Sequence, residues 1–462
     1  MAVGLVLKAK KVVVLGANAS GVALTKYLIK KGAVVSLADT QAVETLLPVL
    51  QEKIDTSKFT LECGEFQPRL FEGANLVIVT PGTPLDLKVL EAARTAGIPV
   101  VTELEFSSLF IEEPMVAVGG TKGKTTTAAL MTRMLENAGK KPFVNTQHPL
   151  SEYLNLSKAA DCVVVTASSF QLEGLTNFKP QVVVLLNVHE DHANRYPNFE
   201  SYIAANREIL KNVDAQTTVI LNSEDAHVSQ WAAQLQPGRI LFFGSTELPE
   251  GMEGAWYTRT HLNLRFGGAL HAFELKNFRL RGSHNRENLM AASLAALCQG
   301  ATPEAITQTI ETFAALPSRV EFVKRTNAVA FYNDSCAGSV QAVIRTLQSF
   351  AEPVILIMGG RDKNADYAPL IPHVRHRVKN LILVGEAKEK INRALGDYTE
   401  TFLVGTLEEA ALMAYQKSRS GDVVLLSPAC DSTDVYRDHE DRGEHFKKLV
   451  GLMSQPRKIA YI

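Results

Sequence analysis

Short apolar runs alternate along the chain with polar turns and with longer stretches whose apolar residues recur at helical spacing. This is the pattern of an α/β protein with mostly parallel sheets. The first runs predict strands over Val12–Leu15, Val34–Ala38, Leu76–Thr80 and Pro99–Thr102, with a helix over Val22–Lys31. Gly16-Ala17-Asn18-Ala19-Ser20-Gly21 joins the first strand to that helix, so Lys11–Asp39 reads as a Rossmann-like βαβ unit. The G-x-x-x-x-G spacing is looser than the dinucleotide fingerprint, which favours a nucleotide-shaped ligand over a nicotinamide cofactor. Asp39 suits either a hydrogen bond to a ribose or base or an ordinary strand-end turn.

Further strands are predicted over Met115–Val118, Val163–Thr166, Val182–Asn187, Val219–Leu221, Ile240–Phe243, Leu262–Arg265 and Leu270–Glu274. Helices are expected over Thr126–Ala138, Phe199–Leu210 and Leu289–Cys298, the last preceded by a polar stretch, Gly282–Asn288. A third group of strands covers Val329–Tyr332, Val354–Met358, Leu381–Val384 and Val423–Leu426. Breaks near Phe110–Pro114 and Leu316–Arg319 divide the chain into 1–110, 111–315 and 316–462. The expected architecture is a Rossmann-like N-terminal domain, a central P-loop domain with a mostly parallel sheet, and a Rossmann-like C-terminal domain.

The most informative stretch is Val116–Thr127, where a buried-type strand runs into Gly119-Gly120-Thr121-Lys122-Gly123-Lys124-Thr125 and then a helix. Glycines let backbone N–H groups close around a polyphosphate, and the helix N-terminus adds partial positive charge. Lys124 supplies a cation, and the Thr125 hydroxyl is a ligand for Mg²⁺. Val118 stands where the first glycine of G-x-x-x-x-G-K-[ST] belongs, so the motif is the shorter G-T-K-G-K-T. Two later strands each run into polar, metal-capable residues: Ser168–Glu173 after one, and His189-Glu190-Asp191-His192 after the other.

Composition narrows the setting. Lys+Arg of 48 against Asp+Glu of 49 gives a net charge of −1, which leaves no electrostatic case for nucleic acid or a membrane surface. The five cysteines (Cys63, Cys162, Cys298, Cys336, Cys430) form no C-x-x-C pair and indicate neither a zinc site nor a disulfide framework. Met1–Lys11 is too short and lysine-rich for a signal peptide, and no apolar run reaches membrane-spanning length. A soluble, cytoplasmic, monomeric protein is expected.

Several motifs spread over nearly the whole chain converge. Gly-Thr-Lys-Gly-Lys-Thr-Thr, Ser-Ser-Phe-Gln-Leu-Glu, Asn-Val-x-Glu-Asp-His-x-x-Arg-Tyr, His-Asn-x-x-Asn, Asn-Asp-Ser and Leu-Ser-Pro-Ala-Cys-x-Ser together resemble the Mur ligases, most of all their D-glutamate-adding branch. The resemblance implies ATP-dependent joining of UDP-N-acetylmuramoyl-L-alanine to D-glutamate through an acyl phosphate, a step of peptidoglycan precursor synthesis. It places Gly120, Thr121, Lys122, Gly123, Lys124, Thr125 and Thr126 on the ATP phosphates, with Thr125 and His192 at magnesium. Asn285 and Asn288 fall on the adenine side unless they simply cap the helix, and Arg319 and Asp334 on the nucleotide from the third domain. Lys363 and Ser432 are implied to bind the incoming carboxylates. Asp39, Thr40 and the Thr80-Pro81-Gly82 turn would hold the uridine end, and Asn145 the sugar–peptide part. Lys124, His192 and Lys363 are thereby the candidate catalytic residues.

The chain departs from the family's pattern at chemically important places. Thr166 replaces a magnesium-binding carboxylate, and Asn206 replaces a lysine that these ligases carbamylate. Cys336 and Gly338 replace the lysine and threonine of Asn-Asp-Ser-Lys-Ala-Thr. Phe143–Gln147 stands for Gly-Gly-Asn-Ile-Gly, and His439 takes the place of an aromatic residue. Loss of two negative charges weakens a shell for hard cations. A non-catalytic or altered-specificity relative that binds nucleotide or UDP-sugar is therefore the alternative reading.

Overall fold

Twenty strands gather into three sheets in a computed structural model that describes residues 6–146, 148–191 and 195–453. The first sheet comprises Lys11–Leu15 (β1), Val34–Asp39 (β2), Thr60–Cys63 (β3), Leu76–Val79 (β4) and Val100–Thr102 (β5), all parallel in the order β3-β2-β1-β4-β5. The central strand β1 buries Val12–Leu15 completely. The order reverses beside it, so the loops after β1 and β4 meet at a topological switch point. The helix Ala19–Lys30 starts there, capped by Asn18, whose Oδ1 accepts from the Gly21 amide at 3.1 Å. A Cβ on Gly21 would stand 1.9 Å from the Gly16 carbonyl oxygen, which explains the second glycine of the turn.

The second sheet is larger. Its strands are Met115–Gly119 (β6), Pro142–Val144 (β7), Cys162–Thr166 (β8), Val182–Leu185 (β9), Thr218–Asn222 (β10), Arg239–Gly244 (β11), Gly254–Tyr257 (β12), His261–Phe266 (β13) and Ala269–Glu274 (β14). The order is β14-β13-β12-β11-β10-β9-β6-β8-β7, parallel from β7 to β12 with an antiparallel β12–β13–β14 meander at one edge. Strand β6 is fully buried between β8 and β9, with Val118 opposite Thr166 and Gly119 opposite Leu185. The third sheet joins Glu321–Thr326 (β15), Val329–Asn333 (β16), Val354–Gly359 (β17), Val378–Val384 (β18), Glu400–Leu403 (β19) and Val423–Leu426 (β20). Its order is β15-β16-β20-β17-β18-β19, with only β15 antiparallel. The mostly parallel α/β expectation therefore holds.

The described residues up to Lys276 together with Glu287–Ile310 form one compact unit, and Asn277–Arg286 with those from Glu311 onward form a second. Within the first unit, the helix Glu103–Ser108 binds the first two sheets together through buried carboxylates. Glu105 accepts from the amides of Thr176, Asn177 and Phe178 and from Asn177 Nδ2, at 2.7–3.1 Å. Glu103 accepts the Ser151 amide at 2.6 Å, and Asn155 Nδ2 donates to the Ala23 carbonyl at 2.9 Å.

One element differs from the sequence pattern in a way that matters for the site. The alanine-rich helix begins at Ser283, so Asn285 and Asn288 lie within its first turns rather than in a preceding loop. Polar Ser-His-Asn-Arg-Glu-Asn reads as a turn, yet Asn285 Nδ2 donates back to the Arg281 carbonyl at 2.7 Å and lets the helix start early. No helix among the described residues is long and apolar enough to cross a membrane.

Candidate active site

The loop after β6 is shaped by its neighbour β9. Gly120 has φ +120°, and a Cβ there would meet the Asn187 carbonyl oxygen at 2.9 Å. Gly123 has φ +97°, and a Cβ there would lie 2.3 Å from Asn288 Oδ1. Both positions therefore need glycine. Asn187 grips the loop on three sides: its carbonyl accepts the Thr121 amide (2.9 Å), Oδ1 accepts the Lys122 amide (3.0 Å), and Nδ2 donates to the Lys122 carbonyl (3.0 Å). Tyr202 donates its hydroxyl to Thr121 Oγ1 at 2.9 Å, and that oxygen also accepts the His189 amide at 3.0 Å.

From this frame the helix Lys124–Asn137 runs back along the sheet, with Thr125 and Thr126 half-buried in its first turn. Lys124 Nζ curls over the loop onto the carbonyls of Gly120 (2.5 Å) and Thr121 (3.2 Å). Lys122 pairs with Asp191 at 2.7 Å. Asn288 packs on the loop itself, its Oδ1 accepting from Thr127 Oγ1 at 3.3 Å. The result is a glycine-rich cradle at a helix N-terminus with two lysines, an arrangement suited to a polyphosphate. His192 lies outside the described residues, as does Gln147.

A cleft in the same unit is lined by Thr80, Pro81, Gly82 and Thr83 from the first sheet and by Phe170, Gln171 and Arg195 from the second, with Glu103 at its wall. Asn18 Nδ2 steadies the turn by donating to Thr80 Oγ1 (3.1 Å) and to the Pro81 carbonyl (2.9 Å). Asp39 spends its carboxylate on the Ala17 amide (2.7 Å) and the Gln41 amide (3.0 Å), beside exposed Thr40. Asp39 thus shapes the loop after β1. Arg195 pairs with Glu173 at 2.8 Å and lies over the Phe170 ring at 5.6 Å. Burial works against its charge, but the Glu173 carboxylate more than offsets this and raises its pKa. Arg195 stood within a recognised motif without a role; only the tertiary structure brings it to the cleft.

Two departures from the family pattern are fully engaged. Asn145 Oδ1 accepts from both the amide (2.6 Å) and the hydroxyl (3.0 Å) of Thr166, and its Nδ2 donates to the Thr166 carbonyl (3.0 Å). Asn206 is buried, with Nδ2 donating to the Tyr202 carbonyl at 2.8 Å. Among the described residues no group of three or more His, Cys, Asp or Glu side chains forms a metal cage.

In the second unit, the loops after the adjacent strands β16, β20 and β17 gather around buried Arg442. Its guanidinium donates to Ser335 Oγ (3.0 Å) and to the carbonyls of Ser335 (2.9 Å), Asp431 (3.1 Å) and Cys430 (3.3 Å). Asp334 is buried and accepts from Thr346 Oγ1 (2.6 Å), Ser427 Oγ (2.8 Å) and the Val320 amide (3.2 Å). Burial pushes its pKa up to about 6 despite those bonds and nearby Arg319. The Val320 bond fixes the turn that carries exposed Arg319, in which Ser318 (φ +59°) and Val320 (φ +49°) sit in the left-handed region. Lys363 pairs with Asp431 at 2.9 Å, and buried Ser432 follows in the same loop. Spacing alone gave no signal for Arg442 or for the carboxylate of Glu105.

Three family models match successive parts of the chain. Residues 10–102 match the Mur ligase MurD-like N-terminal domain, 118–296 the Mur ligase middle domain, and 318–430 the Mur ligase glutamate ligase domain. A protein of Bdellovibrio bacteriovorus named UDP-N-acetylmuramoylalanine–D-glutamate ligase is 44% identical over 96% of this chain and 98% of its own. One of the same name from Geotalea uraniireducens is 40% identical over 96% and 97%. Among solved structures, the UDP-N-acetylmuramate–alanine ligase of Thermotoga maritima matches with a TM-score of 0.59 at 18% identity, covering 96% of this chain and 99% of that one, which is a likeness of fold.

Proposed function

This chain belongs to the Mur ligase family, and on that premise we propose that it is the ATP-dependent ligase that adds D-glutamate to UDP-N-acetylmuramoyl-L-alanine. The observation that carries the reading is the Asn187-braced glycine loop at the N-terminus of Lys124–Asn137, in the same unit as the Thr80–Arg195 cleft. We assign residues 1–110 to the UDP-sugar, 111–315 to ATP and 316–462 to the amino acid.

The alanyl carboxylate attacks the γ-phosphorus of ATP, ADP departs, and an acyl phosphate results. The amine of D-glutamate then attacks the acyl carbon, and phosphate leaves as the amide forms. Positioning and electrostatics dominate such transfers. In this reading Gly120–Thr126 wrap the phosphates, and Lys124 leaves the loop carbonyls for the β/γ oxygens. Asn285, Asn288, Arg319 and Asp334 serve the nucleotide. Lys363, the third candidate catalytic residue after Lys124 and His192, binds glutamate carboxylate together with Ser432. Asp39, Thr40, Pro81, Gly82 and Asn145 support the UDP-sugar, with Arg195 added as an anion contact in the cleft.

Thr125, in the first turn of the helix after the loop, and His192 are the residues that would hold Mg²⁺, a hard ion that prefers oxygen ligands. Bound there, the ion neutralises charge on the transferring phosphoryl group. Soluble, cytoplasmic and monomeric behaviour belongs to the same reading. The alternative, a non-catalytic nucleotide-binding relative, draws on the neutral Thr166 and Asn206 positions. Phosphate release from ATP separates the two. It should require both UDP-N-acetylmuramoyl-L-alanine and D-glutamate and vanish in Lys124→Ala; release with either substrate omitted, or none with both, contradicts the proposal.

A further inference from the structure

Asp431, in the loop after β20, is fixed through its backbone and through its side chain. The backbone pairs with Arg361 in the loop after β17. The Arg361 amide donates to the Asp431 carbonyl at 2.9 Å, and the Asp431 amide donates to the Arg361 carbonyl at 3.2 Å. Buried Arg442 donates to the same Asp431 carbonyl at 3.1 Å. Gly360 has φ +134° and lets the two loops meet, since a Cβ there would lie 2.2 Å from the Asp431 carbonyl oxygen. On the side chain, Oδ1 accepts the amides of Ser432 (2.7 Å) and Thr433 (3.3 Å). Oδ2 pairs with Lys363 Nζ at 2.9 Å.

An ordinary surface ion pair joins two mobile side chains. Here the carboxylate is locked and half-buried, and the Lys363 side chain that reaches it is 57% exposed. The Lys363 hydrogen bond and charge, helped by the two amides, outweigh burial and hold the Asp431 carboxyl below its ordinary range. It is therefore an anion at neutral pH. The Lys363 ammonium keeps donors to spare beyond the one it gives to Asp431, and Oδ2 keeps room for a further donor. A fixed anion and an accessible cation thus stand side by side beyond the carboxyl ends of β17 and β20, where parallel sheets bind their ligands.

An α-amino acid carries its ammonium and its carboxylate on the same carbon, so this pair offers it the complementary charges side by side. We propose that Lys363 and Asp431 together recognise the zwitterionic head of the incoming amino acid, Lys363 taking the α-carboxylate and Asp431 the ammonium. The proposal rests on the assignment of Lys363 to the glutamate and adds the group that recognises its nitrogen. A diacid without the amine can still meet Lys363, but it leaves Asp431 facing a like charge with nothing to neutralise it. The pair thus selects amino acids over the corresponding diacids. Asp431 acts on binding alone, because its depressed pKa makes it a poor acceptor for the proton that the amine loses before attack.

The test compares D-glutamate with glutarate, the same diacid without its amine, on the intact protein. The KM for D-glutamate is read from phosphate release, and the Ki for glutarate from its competition with D-glutamate. Asp431→Asn keeps an acceptor for the Ser432 and Thr433 amides and removes the charge. It should raise the KM about tenfold and lower the Ki about tenfold. Opposite movements mark recognition by charge, because a merely structural change would shift both the same way. A Ki that does not fall, or a KM that does not rise, overturns the proposal and leaves the ligase reading standing. Lys363→Ala should weaken both ligands. If it weakens neither, the assignment of Lys363 to glutamate fails, and this proposal with it.

Discussion

Asn187 and Lys122 exchange two hydrogen bonds of 3.0 Å, the Asn187 amide group serving the Lys122 backbone as a strand neighbour would. One side chain just beyond β9 therefore holds the glycine-rich loop in shape. Preorganisation of this kind lowers the ordering cost of binding. Asn187→Ala should weaken ATP binding about tenfold, the equivalent of ~1.4 kcal/mol. Isothermal titration with ADP against wild type checks this, and unchanged affinity refutes the bracing role.

Glu105 gives a stability prediction. Four donors converge on its two oxygens from the 176–178 segment. Glu105→Gln keeps the shape but turns an amide NH₂ toward backbone N–H groups. The expected loss is roughly 2–4 kcal/mol, read as a lower urea midpoint at unchanged m-value.

The raised pKa of Asp334 fixes a sign. The folded protein keeps a proton up to about pH 6, whereas a free aspartate releases it near 3.8. Folded chains thus bind more protons than unfolded ones between those values, so this group makes stability fall as pH rises through that window. Asp334→Asn should remove the fall. Denaturant curves for both proteins at several pH values between about 4 and 7 should therefore diverge in favour of the variant as pH rises, by on the order of 2–3 kcal/mol.

Asn206 concerns the family's carbamylated lysine. Its buried side-chain amide, bonded to the Tyr202 carbonyl, has no amine to take up carbon dioxide. Added bicarbonate should leave turnover unchanged. Asn206→Lys restores the amine and should raise turnover in a bicarbonate-dependent manner.

These residues show what sequence pattern reveals and what it does not. The inner strands, such as β1, β6 and β17, are unbroken apolar runs because both faces are covered, and they are plain in the sequence. The strands absent from the sequence reading are β3, β7, β12, β15 and β19, and all but β12 lie at sheet edges with many residues half-exposed. Half-exposed edge strands of this kind carry a weaker apolar pattern, although β5 and β14, also at sheet edges, are legible. The same division holds at the site. Gly120, Gly123 and Lys124 announce themselves because loop geometry restricts the residue types. Asn187, Arg195, Glu105 and Arg442 act through partners tens to more than a hundred positions away, which spacing does not encode.

The central claim is that a triphosphate held at Gly120–Thr126 energises the alanyl carboxylate. The most direct measurement supplies UDP-N-acetylmuramoyl-L-alanine with oxygen-18 in that carboxylate, together with ATP and D-glutamate, and follows the label. Transfer through an acyl phosphate predicts one labelled oxygen in the released inorganic phosphate and one retained in the amide product. Unlabelled phosphate alongside product would contradict the account.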